Sequence, residues 1–151
     1  MELVIKKMSL EDLDMLVELR MEVLKHVFHQ EETEELKDAN KEYYKTHLKD
    51  DTHIAAVGFL DDKAVCCGGV CFYEEMPSPD NPSGKCAYLM NVYCKKEYRH
   101  RGYGRAICQW LIKQSQERAD KIYLESSKAA KKMYYNLYFE DMHDYLQLKE
   151  K

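Results

Sequence analysis

Apolar positions along the chain follow two spacings, which predict strands and helices. Short apolar runs bounded by polar or turn residues predict strands at Leu3–Ile5, Ile54–Leu60, Ala64–Tyr73, Ala87–Cys94, Ile122–Leu124 and Tyr145–Leu148. Helical spacing predicts helices over Leu13–Phe28, over Glu34–Leu48, from Ala106 onward and over Lys128–Leu137. The order β-α-α-β-β-β-α-β-α-β predicts a mixed α/β fold, with helices packed around a central sheet.

Local signals mark the boundaries of several elements. Ser9 and Asp12 have the spacing of a capping box at a helix start. Gly68-Gly69 inside a strand indicates either a bulge or a close neighbour. All three prolines fall within Glu74–Lys85, which predicts one long loop inside the domain.

Length and composition favour one compact domain over residues 1–151. Hydrophobic residues make up 45% and charged residues 33%, which is an ordinary balance for a globular protein. No internal repeat or linker divides the chain, and no apolar run approaches the length of a membrane span. The formal net charge of −4 gives no reason to expect nucleic acid or an anionic membrane as a partner.

The six cysteines lie mostly in apolar runs. Because no secretory signal is recognised, we expect reduced thiols in a cytoplasmic protein. No Cys/His set has the spacing of a zinc site, so no metal is expected.

Charge is unevenly distributed along the chain. The range Glu31–Glu42 holds six acidic and two basic residues, whereas Lys95–Arg105 holds five basic residues and one acidic residue. The two ranges are either solvated faces or surfaces that attract a cation and an anion, respectively.

The segment with the clearest chemistry joins the apolar strand Ala87–Cys94 to the helix that follows it. Gly102 and Gly104 allow backbone N–H groups to approach a ligand closely. A helix N-terminus adds unpaired donors and partial positive charge, and three arginines surround it. These features suit a phosphate or pyrophosphate. The alternative is a tight strand-to-helix turn with a basic rim, and neither the P-loop nor the dinucleotide-binding pattern is complete.

Two segments together resemble the Gcn5-related N-acetyltransferases. Arg99-x-x-Gly102-x-Gly104 is similar to the Gln/Arg-x-x-Gly-x-Gly/Ala signature of that family. The downstream segment from Tyr134 to Phe139 resembles its Tyr-x-x-Leu-Gly-Phe segment, with Tyr138 in place of the glycine. The resemblance covers nearly the whole chain. It implies a single three-layer α/β/α domain, in which the central strand separates from its neighbour after a bulge.

The resemblance also implies where acetyl-CoA binds. Pantetheine would pair with the backbone of Val92, Tyr93 and Cys94, near N–H groups at Asn91 and Val92 that could polarise the thioester carbonyl. Ser127 takes the place of a coenzyme-contacting asparagine. Pyrophosphate would bind the loop formed by Arg99, His100, Arg101, Gly102, Tyr103, Gly104 and Arg105.

Tyr134 is the implied general acid, giving a proton to the departing thiolate. A phenol is protonated at neutral pH, so it can donate. Tyr134 could instead be one aromatic residue on the buried side of its helix. Cys94 would lie near pantetheine, but we expect a packed thiol there rather than a nucleophile.

The general base is harder to assign, because Ala87–Cys94 contains no acidic residue. We take Glu75 as the tentative base; Glu74, His26 and His29 are alternatives. Each could equally be a surface residue, and an amine of low pKa would need no protein base.

The expected activity is direct transfer of an acetyl group from acetyl-CoA to a primary amine of a small acceptor, through a ternary complex. The acidic run favours a cationic acceptor. Two alternatives are an acetyltransferase for protein or peptide amines and a non-catalytic module that senses acyl-CoA. The resemblance also allows a homodimer.

Overall fold

The structure, a computed structural model, describes residues 2–142 and 144–150. Within them the strands are β1 (Val4–Lys7), β2 (His53–Leu60), β3 (Lys63–Glu74), β4 (Lys85–Cys94) and β5 (Lys121–Leu124). The helices are α1 (Leu13–Val27), α2 (Glu34–Lys49), α3 (Tyr103–Gln116) and α4 (Lys131–Asn136). Short 3-10 turns occupy Leu10–Asp12 and Lys96–Tyr98.

The strands form one sheet in the order β1-β2-β3-β4-β5. Neighbours from β1 to β4 are antiparallel, whereas β4 and β5 are parallel. A parallel pair requires a crossover connection, and α3 provides it.

Helices cover both faces of the sheet and produce two hydrophobic cores. One core packs α1 and α2 on one face, and the other packs α3 on the opposite face. Every residue of β2 is therefore buried, which explains its continuous apolar sequence. The predicted mixed-sheet, three-layer α/β/α fold is confirmed.

Several local predictions are also confirmed. The Ser9 hydroxyl accepts a hydrogen bond from the Glu11 amide, and the Asp12 carboxylate accepts one from the Ser9 amide, as a capping box requires. Residues 75–84 form the long loop between β3 and β4. A Cβ atom on Gly68 would come within 2.7 Å of side-chain atoms on α3, so this glycine does have a close neighbour.

The predicted last strand, Tyr145–Leu148, is wrong. These residues are not part of any strand, and Leu146 and Leu148 are largely exposed. The alternation of side chains predicts which residues share a face, but it cannot supply a neighbouring strand that covers them. The last helix also begins three residues later than predicted, at Lys131. Among the described residues, no helix combines the length and apolar character that a membrane span requires.

Candidate acyl-transfer site

Strand β4 contains a bulge in its second half. Gly69 pairs with Met90 and Cys67 pairs with Tyr93, so two steps along β3 correspond to three along β4. The bulge includes Asn91, whose φ of 58° lies in the left-handed region. Asparagine tolerates this region better than most residues with a side chain.

Beyond the bulge, β4 loses its neighbour on one side. It pairs with β5 only from Cys86 to Leu89, yet it continues to Cys94. In the described part of the chain, no strand pairs with Met90–Cys94 on that side. This stretch therefore presents backbone hydrogen-bonding groups at an open edge, where an extended ligand could add to the sheet.

The loop after β4 turns sharply into α3. His100 and Gly102 have positive φ values of 64° and 83°, and α3 begins at Tyr103. A Cβ atom on Gly102 would meet nothing within 4 Å, so its backbone conformation, rather than lack of space, favours glycine there.

The amides of His100, Arg101, Gly102, Tyr103, Gly104 and Arg105 form a set of unused donors. None donates to a protein acceptor in the described ranges, and the first intrahelical bond runs from the Ala106 amide to the Gly102 carbonyl at 3.0 Å. With the positive end of the α3 dipole, these donors form a site suited to an anion.

Arginines frame this loop in different ways. The Arg99 Nε donates to the Cys94 carbonyl at 2.9 Å, and its guanidinium lies 5.7 Å from the Tyr93 ring centre. These contacts hold the loop against the end of β4. Arg101 is exposed with its guanidinium 5.7 Å from the Tyr98 ring centre, and Arg105 is also exposed. Their charges are available to a ligand.

Tyr134 on α4 is buried, with 7% of its surface exposed. Its ring meets that of Phe139 edge-to-face at 5.8 Å. Burial, and then the thiol of Cys108, raise the pKa of the Tyr134 hydroxyl well above its ordinary value, so it is protonated at neutral pH. Tyr134 also lines a cavity of about 640 Å³ between α4 and the end of β5.

Helix α3 brings Tyr134 and the glycine loop onto one side of the molecule. Cys108, which interacts with Tyr134, lies four residues after Gly104 and on the same helix face. The Met133 Sδ atom is 4.0 Å from the position that a Gly104 Cβ would occupy. Helix α4 therefore lies against the first turns of α3.

Other predicted coenzyme contacts have different local roles. The Val92 side chain packs toward the α3 core, and Tyr93 is buried toward α1 and α2. Burial raises the pKa of the Cys94 thiol, as expected for a packed cysteine. Ser127 is exposed, and its hydroxyl oxygen accepts a hydrogen bond from the Ala130 amide at 3.3 Å, which leaves the hydroxyl hydrogen available.

Glu75 is positioned away from the open edge. Its carboxylate accepts hydrogen bonds from Asn81 Nδ2 at 3.2 Å and from Lys121 Nζ at 3.2 and 3.3 Å. These partners lower the pKa of Glu75, which weakens it as a base. It follows the Glu74–Lys85 pair, so it lies roughly 20 Å along β4 from Asn91.

A second group of ionisable side chains lies beside the open half of β4. The His26 ring stacks on Tyr93, with ring centres 6.3 Å apart. Burial and then the Glu22 carboxylate raise the pKa of Tyr93 to about 12, and Glu22 lies 3.9 Å from Lys95 Nζ. His26 was a sequence candidate, whereas Glu22 was missed. The sequence signal that could have identified Glu22 is its position four residues before His26, which places both side chains on one face of α1.

Comparison with known proteins identifies the family. The profile of the acetyltransferase (GNAT) family matches residues 13–138. The chain belongs to this family. No match is found among curated protein sequences.

Solved structures of GNAT acetyltransferases share the fold. A predicted acetyltransferase from Clostridium acetobutylicum, solved with acetyl-CoA, has a TM-score of 0.89 and 21% identity over 98% of this chain and 96% of that chain. AAC(6')-Iy, in complex with a bisubstrate analogue of CoA and acetylneamine, has a TM-score of 0.78 and 14% identity over 100% and 99%. Glucosamine-6-phosphate N-acetyltransferase from Arabidopsis thaliana has a TM-score of 0.70 and 16% identity over 100% and 99%.

Proposed function

We propose that this GNAT protein transfers an acetyl group from acetyl-CoA directly to a primary amine of a small acceptor, within a ternary complex. The observation that carries the proposal is the open edge of β4 leading into the unused amide donors of His100–Arg105. An extended, amide-containing arm with a pyrophosphate at one end matches both parts of this surface. The structures solved with acetyl-CoA and with a CoA bisubstrate analogue have the same fold.

In this proposal the chain holds acetyl-CoA at three places. Backbone groups of Val92, Tyr93 and Cys94 pair with pantetheine. The amides of His100–Arg105 bind pyrophosphate, with Arg101 and Arg105 adding charge. The Ser127 hydroxyl donates a further hydrogen bond near the start of α4.

The bulge and Tyr134 would act on the reacting group. The bulge at Asn91 interrupts the regular ladder. In this proposal the N–H groups of Asn91 and Val92 donate to the thioester oxygen as negative charge develops there. As the acceptor nitrogen bonds to the carbonyl carbon and the C–S bond breaks, Tyr134 donates its proton to the sulfur. Solvent then returns a proton to Tyr134.

The acceptor amine must also lose a proton. We assign this step to His26 with Glu22 rather than to Glu75, because the first two side chains contact Tyr93 on the open half of β4. The Glu75 carboxylate instead lies roughly 20 Å along β4 from Asn91.

The acidic run gives little support for a cationic acceptor. Glu31, Glu32, Glu34 and Glu35 are all exposed, and Glu32 lies 3.9 Å from Lys37. Exposed carboxylates of this kind are screened by salt.

Calorimetric titration with acetyl-CoA tests the coenzyme site, with ATP as the control anion. We expect micromolar or tighter binding of acetyl-CoA and at least about tenfold weaker binding by Arg101→Ala and Gly102→Asp. Arg118→Ala, two residues beyond the C-terminal end of α3, is the matched control and should bind normally. Equal affinity for ATP and acetyl-CoA would contradict the proposal. Release of free thiol in the presence of primary amines then tests turnover.

A further inference from the structure

Arg20 interrupts the apolar face of α1. Leu16, Val17, Val23 and Leu24 are buried on this face, and Arg20 follows Leu16 by one helical turn. The side chain is half-buried. A cation in such a position is usually paired with a carboxylate, because burial removes water from the charge.

The partners of Arg20 are neutral. Its Nε donates to Asn40 Oδ1 at 3.1 Å, and its terminal nitrogen donates to Asn91 Oδ1 at 3.0 Å. The amide of Asn40 is fixed in orientation because its nitrogen donates to the Leu36 carbonyl at 2.9 Å. The Phe28 ring centre lies 5.9 Å from the guanidinium. Arg20 is therefore held rigidly, without an anion.

In the described part of the chain, no carboxylate lies within 4.0 Å of Arg20. Two other half-buried cations do have one: Lys95 lies near Glu22, and Lys121 near Glu75. The remaining N–H groups of the guanidinium also lack a protein acceptor there. An incoming oxyanion would satisfy both the charge and these donors, which the planar guanidinium can offer as a pair.

The position of Arg20 separates it from the pyrophosphate site. Arg20 contacts Asn91 at the bulge on the α1 and α2 face of the sheet. The amides of His100–Arg105 lie beyond the end of β4, at the start of α3 on the opposite face. The molecule thus has two separate positions for negative charge, one on either side of the reacting group.

We propose that Arg20 binds an oxyanion, a carboxylate or a phosphate, that belongs to the acceptor, so the acceptor is a primary amine that also bears an acidic group. This inference rests on the proposed acetyl transfer. Arg20 would set specificity by orienting the acceptor, and the acidic group would bind beside Asn91 with the amine directed toward the thioester. A purely structural role would also place Arg20 between α1, α2 and β4, but it would not depend on the charge of the acceptor.

Binding can be measured without turnover. The protein saturated with coenzyme A is titrated with four small amines: γ-aminobutyrate, O-phosphoethanolamine, aminobutanol and putrescine. The Nε–H resonance of Arg20 is followed by NMR and assigned by its loss in Arg20→Lys. We expect one or both acidic amines to shift this resonance, with dissociation constants at least about tenfold lower than those of aminobutanol and putrescine. Which acidic amine binds distinguishes a carboxylate from a phosphate. If aminobutanol or putrescine binds as tightly, or the resonance does not respond to either acid, the inference is wrong.

Turnover provides the second measurement. For the preferred acidic amine, Arg20→Gln should lower kcat/KM at least about tenfold, and Arg20→Lys should recover part of the loss. The dissociation constant of acetyl-CoA and the turnover of aminobutanol should not change, and the control Arg118→Gln should behave as wild type. An equal loss for all amines would indicate a structural role and overturn the inference. If acetyl-CoA binds but no amine is acetylated, the proposed function fails, while the NMR titration still decides whether Arg20 binds an oxyanion.

Discussion

The two halves of β4 differ in how they are paired within the sheet. From Cys86 to Leu89 the strand is paired on both sides, with β3 and β5. From Met90 to Cys94 it is paired with β3 alone and carries the bulge at Asn91. The paired half contributes to a closed core, whereas the open half leaves backbone groups for a ligand. Substitutions near the two halves should therefore have different effects.

The largest expected effect concerns the acyl transfer proposed beside the open half. Tyr134→Phe removes the hydroxyl but keeps the ring that packs on Phe139. We expect kcat to fall by about 10²-fold or more, because general acid catalysis commonly contributes this much. The measurement is steady-state kcat combined with calorimetry of acetyl-CoA binding, which should be unchanged. A variant with wild-type kcat would remove Tyr134 from the mechanism, and one without acetyl-CoA binding would indicate a role in the coenzyme site.

The second prediction concerns His53, which is 3% exposed on β2 and pairs with Cys71 next to the closed half of β4. Burial, and then the charges of His47 and Arg20, lower the pKa of His53 from 6.5 to about 4. In the unfolded chain His53 becomes protonated below pH 6.5, whereas in the folded chain it stays neutral down to about pH 4. The contribution of His53 to stability is therefore fully present above pH 6.5 and falls between these values, by up to about 3 kcal/mol.

Urea unfolding at several pH values measures this loss. His53→Asn keeps a polar side chain beside the Tyr43 hydroxyl, which lies 2.9 Å from His53 Nδ1. We expect the variant to have a flatter stability curve between pH 6.5 and 4 than the wild type. Equal slopes for the two proteins would show that other groups cause the acid sensitivity.

The third prediction concerns packing against the sheet. In Gly68→Ala the added methyl would come within 2.7 Å of Ile107 Cγ2 and Leu111 Cδ1, both on fully buried side chains. We expect a loss of about 1–3 kcal/mol in the free energy of unfolding, measured with urea. The affinity for acetyl-CoA should change little. Wild-type stability would mean that α3 shifts easily away from the sheet.

The smallest predicted effect is at Tyr138, which follows α4. This residue has a φ of 70° and is 97% exposed, so its side chain packs against little while its backbone is strained. Tyr138→Gly should raise the free energy of unfolding by about 0.5–1 kcal/mol, because relief of strain exceeds the added flexibility of the unfolded chain. Tyr138→Ala, which keeps a Cβ atom, is the control and should give no gain. A loss of stability in the glycine variant would show that the tyrosine ring makes a needed contact.

Sequence patterns predicted those features that depend on residues close together in the sequence. The glycine loop and the capping box at Ser9 are consequences of local backbone chemistry. The extra residue at Asn91 was not located, because a bulge is defined against the partner strand. Arg20 and Glu22 were missed for a similar reason: their roles depend on contacts with β4, about 70 residues away. The strand prediction at Tyr145–Leu148 is wrong because no strand among the described residues pairs with this segment.

The bulge also changes whether odd-numbered or even-numbered residues of β4 face the α3 core. Before it, the odd-numbered Ala87 and Leu89 belong to the α3 core; after it, the even-numbered Val92 and Cys94 do, and Tyr93 joins the other core. Deleting Asn91 would place Val92 directly after Met90 and restore regular alternation, so Val92, Tyr93 and Cys94 would keep their faces while the bulge itself is lost. A homologous chain that is one residue shorter at this point would therefore keep both cores and lose only the irregular backbone of the bulge.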